Sequence, residues 1–271
     1  KNNHIRSIPK NNILIVGWYG TETLGDKAIL YSIINELFKV GLESSKIVVA
    51  SIEHYITEFT LKEFEPVSKC SVVSLAKAEI MAKQGQFSQV VFGGGPIMSS
   101  IGYLCNIASI FQIVKKYGGK TIIWGCGLGP IRNLRRDFFN KIAIKQILKT
   151  ADECVFRDKK SLEIAKGLVG TLIEKKSKIA LDPAFHWVRS HAIKIEKSCK
   201  IGFAIRSLPV SEYFADSDED PSQLKKNFNS VILSLMKKHA EKDSVYLQSM
   251  HRLPCGGDDR LYYLDLLGDS I

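Results

Sequence analysis

The sequence predicts an α/β fold of the doubly wound type, with a mostly parallel sheet. Short stretches rich in β-branched residues, apolar at nearly every position, alternate with amphipathic stretches over the first two thirds of the chain. Strands that are apolar on both faces are typical of buried parallel sheets, and alternation with helices indicates βαβ crossovers. The length of 271 residues, 45% of them hydrophobic, suits one large domain or two ordinary ones.

Six strands are predicted in this part, at 12–17, 46–51, 70–75, 89–94, 120–125 and 153–156. Amphipathic stretches predict helices at 26–40, 106–118 and 135–150. In the first of these, helical spacing places Ile29, Ile33, Leu37 and Val40 on one face, which we expect to be buried.

Two lobes are expected. Residues 1–188 form a Rossmann-like lobe that closes with the segment KIALDPAFHW, and 199–271 begin a second one after a polar linker at 189–200. The second lobe is predicted to contain a strand at 200–207, an acidic loop at 215–223, a helix at 224–240 and a strand at 244–250. Because doubly wound domains normally have more strands, we expect residues beyond Ile271 to complete it.

The amino-acid composition limits the classes of binding partner that we expect for the protein. The formal charge of +10, from 38 Lys and Arg against 28 Asp and Glu, favours phosphorylated metabolites or an acidic membrane surface, although a solvated basic surface is equally compatible. We find no nucleic-acid-binding module, no signal peptide and no stretch long enough to cross a bilayer, so a cytoplasmic protein is expected. The six cysteines form no CxxC pair, which indicates reduced, buried thiols and no metal site.

Three glycine-rich turns follow predicted strands: GWYGTETLGD at 17–26, GGGP at 93–96 and GCGLGP at 125–130. In an open parallel sheet the carboxyl ends of the strands share one edge, where ligands bind, and glycine lets the backbone approach them. Neither a GxGxxG nor a phosphate-loop pattern is present. Tight turns alone also use glycine, and Thr21, Thr23 and Asp26 could simply cap the next helix. The candidate binding residues are Gly17, Tyr19, Gly20, Thr21, Gly25, Gly93, Gly94, Gly95, Pro96, Gly127 and Gly129.

Polar candidates follow later strands. Arg157 and Asp158 end a strand and Ser161 begins a helix, where Asp158 is either a ligand group or an N-cap. Asp182 precedes a proline and is either a site carboxylate or a turn starter.

In the second part, Arg206 ends a strand, and its guanidinium is suited to hold a carboxylate or phosphate in an interdomain cleft. His251 and Arg252 follow the next strand and either join Arg206 or are ordinary loop residues.

Together the segments GWYGTETLGDKAIL, VVFGGGPIM, GCGLGPI, FRDKKSLEIAKGLVG and LDPAFHW resemble the polysaccharide pyruvyl transferase family, in its order and spacing. The resemblance spans roughly 12–187, and GFAIRS and QSMHR fit the start of the family's second half. It implies a GT-B-like pair of lobes and transfer of the enolpyruvyl unit of phosphoenolpyruvate onto a sugar, as a pyruvate ketal on cell-surface glycans. The family's late Arg-Leu-His motif is not found here, since HRLP at 251–254 differs in order, and we expect it after Ile271.

The resemblance also implies the roles. Arg206 would hold phosphoenolpyruvate with His251 or Arg252, and Asp26, Asp158 or Asp182 would assist the acceptor hydroxyl. The glycine turns would line the acceptor side, where a sugar or lipid-linked glycan binds, with peripheral contact to an anionic membrane. No redox cofactor or metal is implied. The alternatives are a glycosyltransferase that uses a nucleotide sugar and a noncatalytic glycan-binding relative.

Overall fold

A computed structural model of the protein describes residues 11–21, 23–63, 69–98, 102–129, 131, 138–191, 201–207, 219–242, 244–251 and 258–268. The chain divides into two compact units, Lys1–Gly20 with Gly25–His191, and Thr21–Leu24 with Ala192–Ile271. Among the described helices, none is long and apolar enough to cross a membrane.

The first unit is built on a parallel sheet, as predicted. Its described strands are β1 (Asn12–Val16), β2 (Ile47–Ser51), β3 (Ser71–Ser74), β4 (Phe87–Gly93), β5 (Pro96–Ile97), β6 (Lys120–Leu128), β7 (Glu153–Phe156) and β8 (Ser177–Ile179). They lie in the order β3-β2-β1-β4-β6-β7-β8, with β5 paired to β6, and every pair is parallel. The α/β class with a mostly parallel sheet is therefore confirmed.

One predicted turn is wrong. The segment at 125–130 does not leave the sheet after Gly125, because β6 continues through Gly127 to Leu128. The extension has a partner that sequence patterns did not show: Pro96 and Ile97 of β5 pair with Gly127 and Leu128. The register shifts between Trp124 and Cys126, and Gly125 between them has a φ of +68°. A left-handed residue inside a strand is typical of a bulge and favours glycine.

Helices connect the strands. They are α1 (Leu24–Lys39), α2 (His54–Lys62), α3 (Leu75–Lys83), α4 (Tyr103–Lys116), α5 (Phe138–Thr150), α6 (Lys159–Val169) and α7 (Ala184–Ser190). On α1 the predicted face is confirmed for Ile29, Ile33 and Leu37, which are buried, but is wrong for Val40. Helix α1 ends one residue earlier, so Val40 lies in the following turn and is exposed.

The core covers both faces of the sheet. Leu14 and Val16 of β1 pack in one apolar cluster, whereas Ile13 and Ile15 pack in another on the opposite face. Successive side chains of a strand point to opposite faces, so this division follows from the strand itself. It explains why β1 is apolar at nearly every position.

The second unit contains a small parallel pair, β9 (Ile201–Phe203) and β10 (Val245–Leu247), and two described helices, α8 (Pro221–Ala240) and α9 (Asp259–Leu267). Its core joins Met236 of α8 to Tyr262, Tyr263 and Leu266 of α9. Asp220 caps α8 by accepting the Gln223 N–H at 3.1 Å. Of the predicted linker at 189–200, residues 189–190 belong to the end of α7, and 192–200 lie outside the described residues, as does part of the acidic loop, 215–218. That this unit is a second Rossmann-like lobe of GT-B type stays a prediction.

Candidate active site

The first two glycine-rich segments meet at the centre of the sheet. Strand β1 pairs with β2 on one side and with β4 on the other, so the chain reverses its direction of winding between β1 and β4. Ligands of open α/β sheets bind outside the carboxyl ends of the strands at such a switch point. Because Val16 is in register with Phe92, the turns that begin at Gly17 and Gly93 lie side by side there.

Most of the glycine surfaces at this point are covered by the protein itself. A Cβ on Gly93 would lie 2.2 Å from Cδ1 of Ile33, and one on Gly94 would lie 2.0 Å from Cγ2 of Ile29. At Gly17 it would lie 2.5 Å from the carbonyl oxygen of Gly93. These contacts account for the three glycines by packing, and that they also contact a ligand stays a prediction. Here glycine lets helix α1 pack directly on the turn.

Backbone donors in the same region are also occupied. The N–H of Gly94 donates to the Trp124 carbonyl at 3.2 Å, that of Gly127 to Gly95 at 3.1 Å and that of Gly129 to Ile97 at 2.9 Å. A phosphate needs backbone N–H groups that point into its site. These three glycines instead extend the sheet.

An exposed aromatic side chain and a carboxylate lie beside Gly95 at the switch point. Trp18 follows β1 with 41% of its surface exposed, and Asp26 lies in the first turn of α1. A Cβ on Gly95 would lie 3.4 Å from Asp26 Oδ1 and 4.0 Å from Trp18 Cβ, so the two side chains flank this glycine. Tyr103 packs edge-on against Trp18, with ring centroids 5.3 Å apart. We call these four residues the switch-point cluster.

Two tyrosine hydroxyls hold the backbone of the two turns, one from buried Tyr19 and one from half-buried Tyr103. The Tyr103 hydroxyl donates to the Gly17 carbonyl, and the Tyr19 hydroxyl donates to the Gly93 carbonyl at 2.5 Å. Burial raises the pKa of both phenols well above the usual value, so both stay protonated donors. Tyr19 is buried within the unit and fixes the two turns, and its contact with a substrate stays a prediction.

The remaining predicted binding residues differ in how closely they are packed and how exposed they are. Gly20 has a φ of +92°, and a Cβ there would lie 2.6 Å from the Glu53 backbone, so only glycine fits. Gly25 has open space within 4 Å of its Cβ position. Pro96 is exposed at the start of β5. Thr21 is buried and groups with the second unit.

A second set of predicted residues forms an ionic group at the ends of β6, β7 and β8. Arg157 Nη1 donates to Asp182 Oδ2 at 3.2 Å, and its Nε lies 3.7 Å from Asp158 Oδ2. The guanidinium covers Gly127, where a Cβ would lie 2.7 Å from Nε. We call Arg157, Asp158 and Asp182 the Arg157 cluster.

Within the Arg157 cluster the carboxylates also have structural roles. Asp158 caps α6 by accepting the Ser161 N–H at 2.7 Å, and this hydrogen bond is the largest influence that lowers the pKa of Asp158. The Ser161 hydroxyl accepts the Leu128 N–H at 2.9 Å and is buried. Asp182 accepts the Ala184 N–H at 3.0 Å, as expected of an Asp–Pro turn. The capping and turn-starting alternatives are thus both confirmed.

The thiol of Cys126 is buried in β6 between Gly125 and Gly127. It donates to the Phe92 carbonyl at 3.3 Å, and burial raises its pKa to about 12. Cys70 and Cys154 are likewise free and buried, whereas Cys105 is exposed, contrary to expectation. Among the described residues no group of three or more His, Cys, Asp and Glu could hold a metal ion.

The predicted site residues of the second unit differ in their exposure to solvent. Arg206 is exposed after β9. His251 is buried, its Nε2 donates to the Thr21 carbonyl, and its Nδ1 has no hydrogen-bond partner among the described residues. Asp259 Oδ2 accepts the His251 N–H at 2.9 Å and fixes its backbone. His251 is therefore not an exposed loop residue, and Arg252 lies outside the described residues.

Two residues of the switch-point cluster were missed by sequence reasoning. Trp18 carried a usable signal, since it is a large aromatic directly after a strand within the turn already singled out. Tyr103 carried none, because nothing in the local pattern shows that α4 begins beside β1.

The sequence also matches a known protein family. Residues 24–268 match the family model described as "Polysaccharide pyruvyl transferase". No curated protein matches the chain.

Proposed function

The chain belongs to the polysaccharide pyruvyl transferase family, as its motifs predicted, and on that premise we propose that it transfers the enolpyruvyl group of phosphoenolpyruvate onto a sugar. The family indicates transfer of a pyruvyl group to a polysaccharide. The product proposed here is a pyruvate ketal on a cell-surface polysaccharide or on its lipid-linked precursor. One observation carries the acceptor half of the proposal: Trp18 and Asp26 flank Gly95 at the switch point.

The switch-point cluster suits a sugar acceptor. The exposed indole of Trp18 offers an apolar face for the C–H groups of a pyranose ring, and Tyr103 holds the indole edge-on. The Asp26 carboxylate accepts hydrogen bonds from hydroxyl groups. A carboxylate in that position can also take the proton of the attacking hydroxyl as a general base.

The donor requires cations because phosphoenolpyruvate carries a carboxylate and a phosphate. We assign it to Arg206, whose planar guanidinium can hold either group with two parallel hydrogen bonds. Arg252 is its proposed neighbour. Arg157 is engaged with Asp182, so we give it no direct role in holding the donor.

The chemistry balances without oxidation or reduction. One hydroxyl proton of the sugar ends on the methylene carbon, which becomes a methyl group, and the hydroxyl oxygen bonds to the adjacent carbon. The second hydroxyl of the sugar then bonds to the same carbon while the phosphate leaves with the remaining proton. No redox cofactor is proposed, because neither the addition of the first hydroxyl nor the displacement of phosphate by the second involves a net oxidation or reduction.

Product analysis with two donors tests this proposal. The protein is incubated with a panel of methyl glycosides and either phosphoenolpyruvate or UDP-sugars. We expect inorganic phosphate release that depends on both phosphoenolpyruvate and a glycoside, together with a new methyl resonance of the ketal in the glycoside product. Release of UDP without phosphate release would instead identify a glycosyltransferase. Binding of glycosides with neither release would identify a noncatalytic relative.

A further inference from the structure

Helix α5 carries an exposed aromatic pair. Phe138 and Phe139 in its first turn are 59% and 65% exposed, and their rings lie 5.7 Å apart, edge to face. Ile142, one turn later on the same side, is also exposed. The opposite side of the helix is buried in the core of the first unit through Ile144 and Ile147. Large apolar groups therefore lie on the exposed side of the helix.

The charges of this helix all have one sign. Lys141, Lys145 and Lys149 recur every four residues, and the segment 138–150 contains no Asp or Glu. Within the described part of the chain, Lys145 makes no ion pair, and it is exposed. Exposed aromatics beside lysines are the combination with which a helix binds the surface of an anionic bilayer.

Helix α2 shows that exposed aromatics alone do not give this combination. Tyr55 and Phe59 are 61% and 60% exposed there. With its flanking residues, 53–63, α2 has three glutamates, Glu53, Glu58 and Glu63, and one lysine, whereas 137–151 around α5 has one aspartate and three lysines. Anionic lipid would be attracted to α5 and repelled by α2, which makes α2 an internal control.

The exposed part of α5 lies at the edge of the sheet that carries the candidate site. Helix α5 follows β6, so it begins at the carboxyl ends of the parallel strands. It packs against α4, which begins at Tyr103 of the switch-point cluster. Packed helices lie about 8–10 Å apart. The aromatic pair is therefore about one helix away from the proposed acceptor residues.

We propose that Phe138, Phe139, Ile142 and Lys145 form a surface, the α5 docking face, that binds an anionic lipid bilayer. The aromatic rings insert among the headgroups while the lysine contacts lipid phosphates. The face would present the switch-point cluster to an acceptor sugar attached to lipid. This last clause rests on the proposed function, whereas lipid binding does not.

Vesicle sedimentation tests the docking face. The 271-residue protein is mixed with phosphatidylcholine vesicles that either contain or lack phosphatidylglycerol. We expect binding to the anionic vesicles that weakens as salt is added, because surface charges are screened. Phe138→Ser with Phe139→Ser should lower the partition coefficient about tenfold or more, and Lys145→Ala about fivefold.

The matched control is Phe59→Ser, which removes an equally exposed ring from α2 and should leave vesicle binding unchanged. Circular dichroism confirms that each variant is folded. Equal binding of the double variant and the wild type, or equal binding to neutral vesicles, would overturn the proposal. Equal losses at α2 and α5 would do the same.

Phosphate release with a soluble glycoside, measured without vesicles, separates this proposal from the proposed function. The double variant should keep the wild-type rate there. If the wild type releases no phosphate yet the α5 substitutions abolish vesicle binding, the docking face stands and the proposed chemistry fails. If it releases phosphate but ignores vesicles, the reverse holds.

Discussion

Two glycine-rich segments of the first unit look alike in sequence and serve different ends. Gly93–Gly95 follows β4 and turns away from the sheet, whereas Gly125–Gly127 continues β6 with a bulge. Both are closed on one side, the first by Ile29 and Ile33 and the second by Pro183 and Arg157. At the first, Trp18 and Asp26 flank Gly95, and Trp18 is exposed.

The difference shows that a glycine in such a segment indicates a group packed close to the backbone but does not identify that group. At the first segment the neighbour is a helix on one side and, in our proposal, a sugar on the other. At the second it is the Arg157 cluster, whose ion pair with Asp182 keeps the guanidinium over Gly127. In our proposal the switch-point cluster therefore carries the chemistry, whereas the contacts of the Arg157 cluster are those of packing and helix capping.

The largest expected effect is on catalysis. Asp26→Asn removes the carboxylate that we propose as general base, and it should lower kcat for phosphoenolpyruvate-dependent phosphate release by about 10²–10⁴-fold. The amide is close to isosteric, so the melting temperature should change little. The assay is initial-rate phosphate release with a glycoside that the wild type accepts.

Two matched variants sharpen this result. Glu36→Gln makes the same chemical change near the other end of α1, at a residue paired with Lys39, and should keep the wild-type kcat. Asp182→Asn makes it in the Arg157 cluster and should lower kcat less than tenfold. An equal loss at Asp26 and Asp182 would break the comparison between the two clusters.

The sequence predicted local structure well and pairing poorly. Strand β7 has its predicted bounds, because three consecutive apolar residues, Cys154, Val155 and Phe156, lie between clear helix signals. The extension of β6 was missed because it depends on β5, about thirty positions earlier in the chain. Local patterns do not record such long-range pairs, nor which side of a glycine a neighbour covers. Asp158 shows the opposite case, since its capping role is local and was recognised as an alternative.

The next largest effect is on stability. Gly94→Ala places a methyl group 2.0 Å from Cγ2 of Ile29 at a φ of +76°. Left-handed strain and overpacking together should cost about 2–5 kcal/mol of unfolding free energy. The three tryptophans, Trp18, Trp124 and Trp187, all belong to the first unit, so urea unfolding followed by their fluorescence reports on this unit.

Gly41→Ala separates the two contributions. Gly41 has a φ of +85° but open space around its Cβ position. Only backbone strain applies, and the expected cost is about 1 kcal/mol. If Gly94→Ala costs no more than Gly41→Ala, the turn accommodates a side chain, and close packing by α1 does not explain that glycine.

The smallest effect concerns pH and the thiol between the two glycines of β6. Burial raises the pKa of Cys126 to about 12, whereas an exposed thiol in the unfolded chain titrates near 8.5. Above that value the unfolded chain loses a proton that the folded chain keeps, so stability falls as pH rises. Between pH 8 and 10, Cys126 should account for about 1–2 kcal/mol of the loss.

Cys126→Ala should therefore be less stable than the wild type at pH 8 yet lose less stability by pH 10, in urea unfolding followed by tryptophan fluorescence. Cys105→Ala, at an exposed cysteine, should keep the wild-type pH slope. If the free energy of unfolding of Cys126→Ala falls with pH as steeply as that of the wild type, the thiol is hydrated in the folded protein. Water would then reach the space between the two glycine segments.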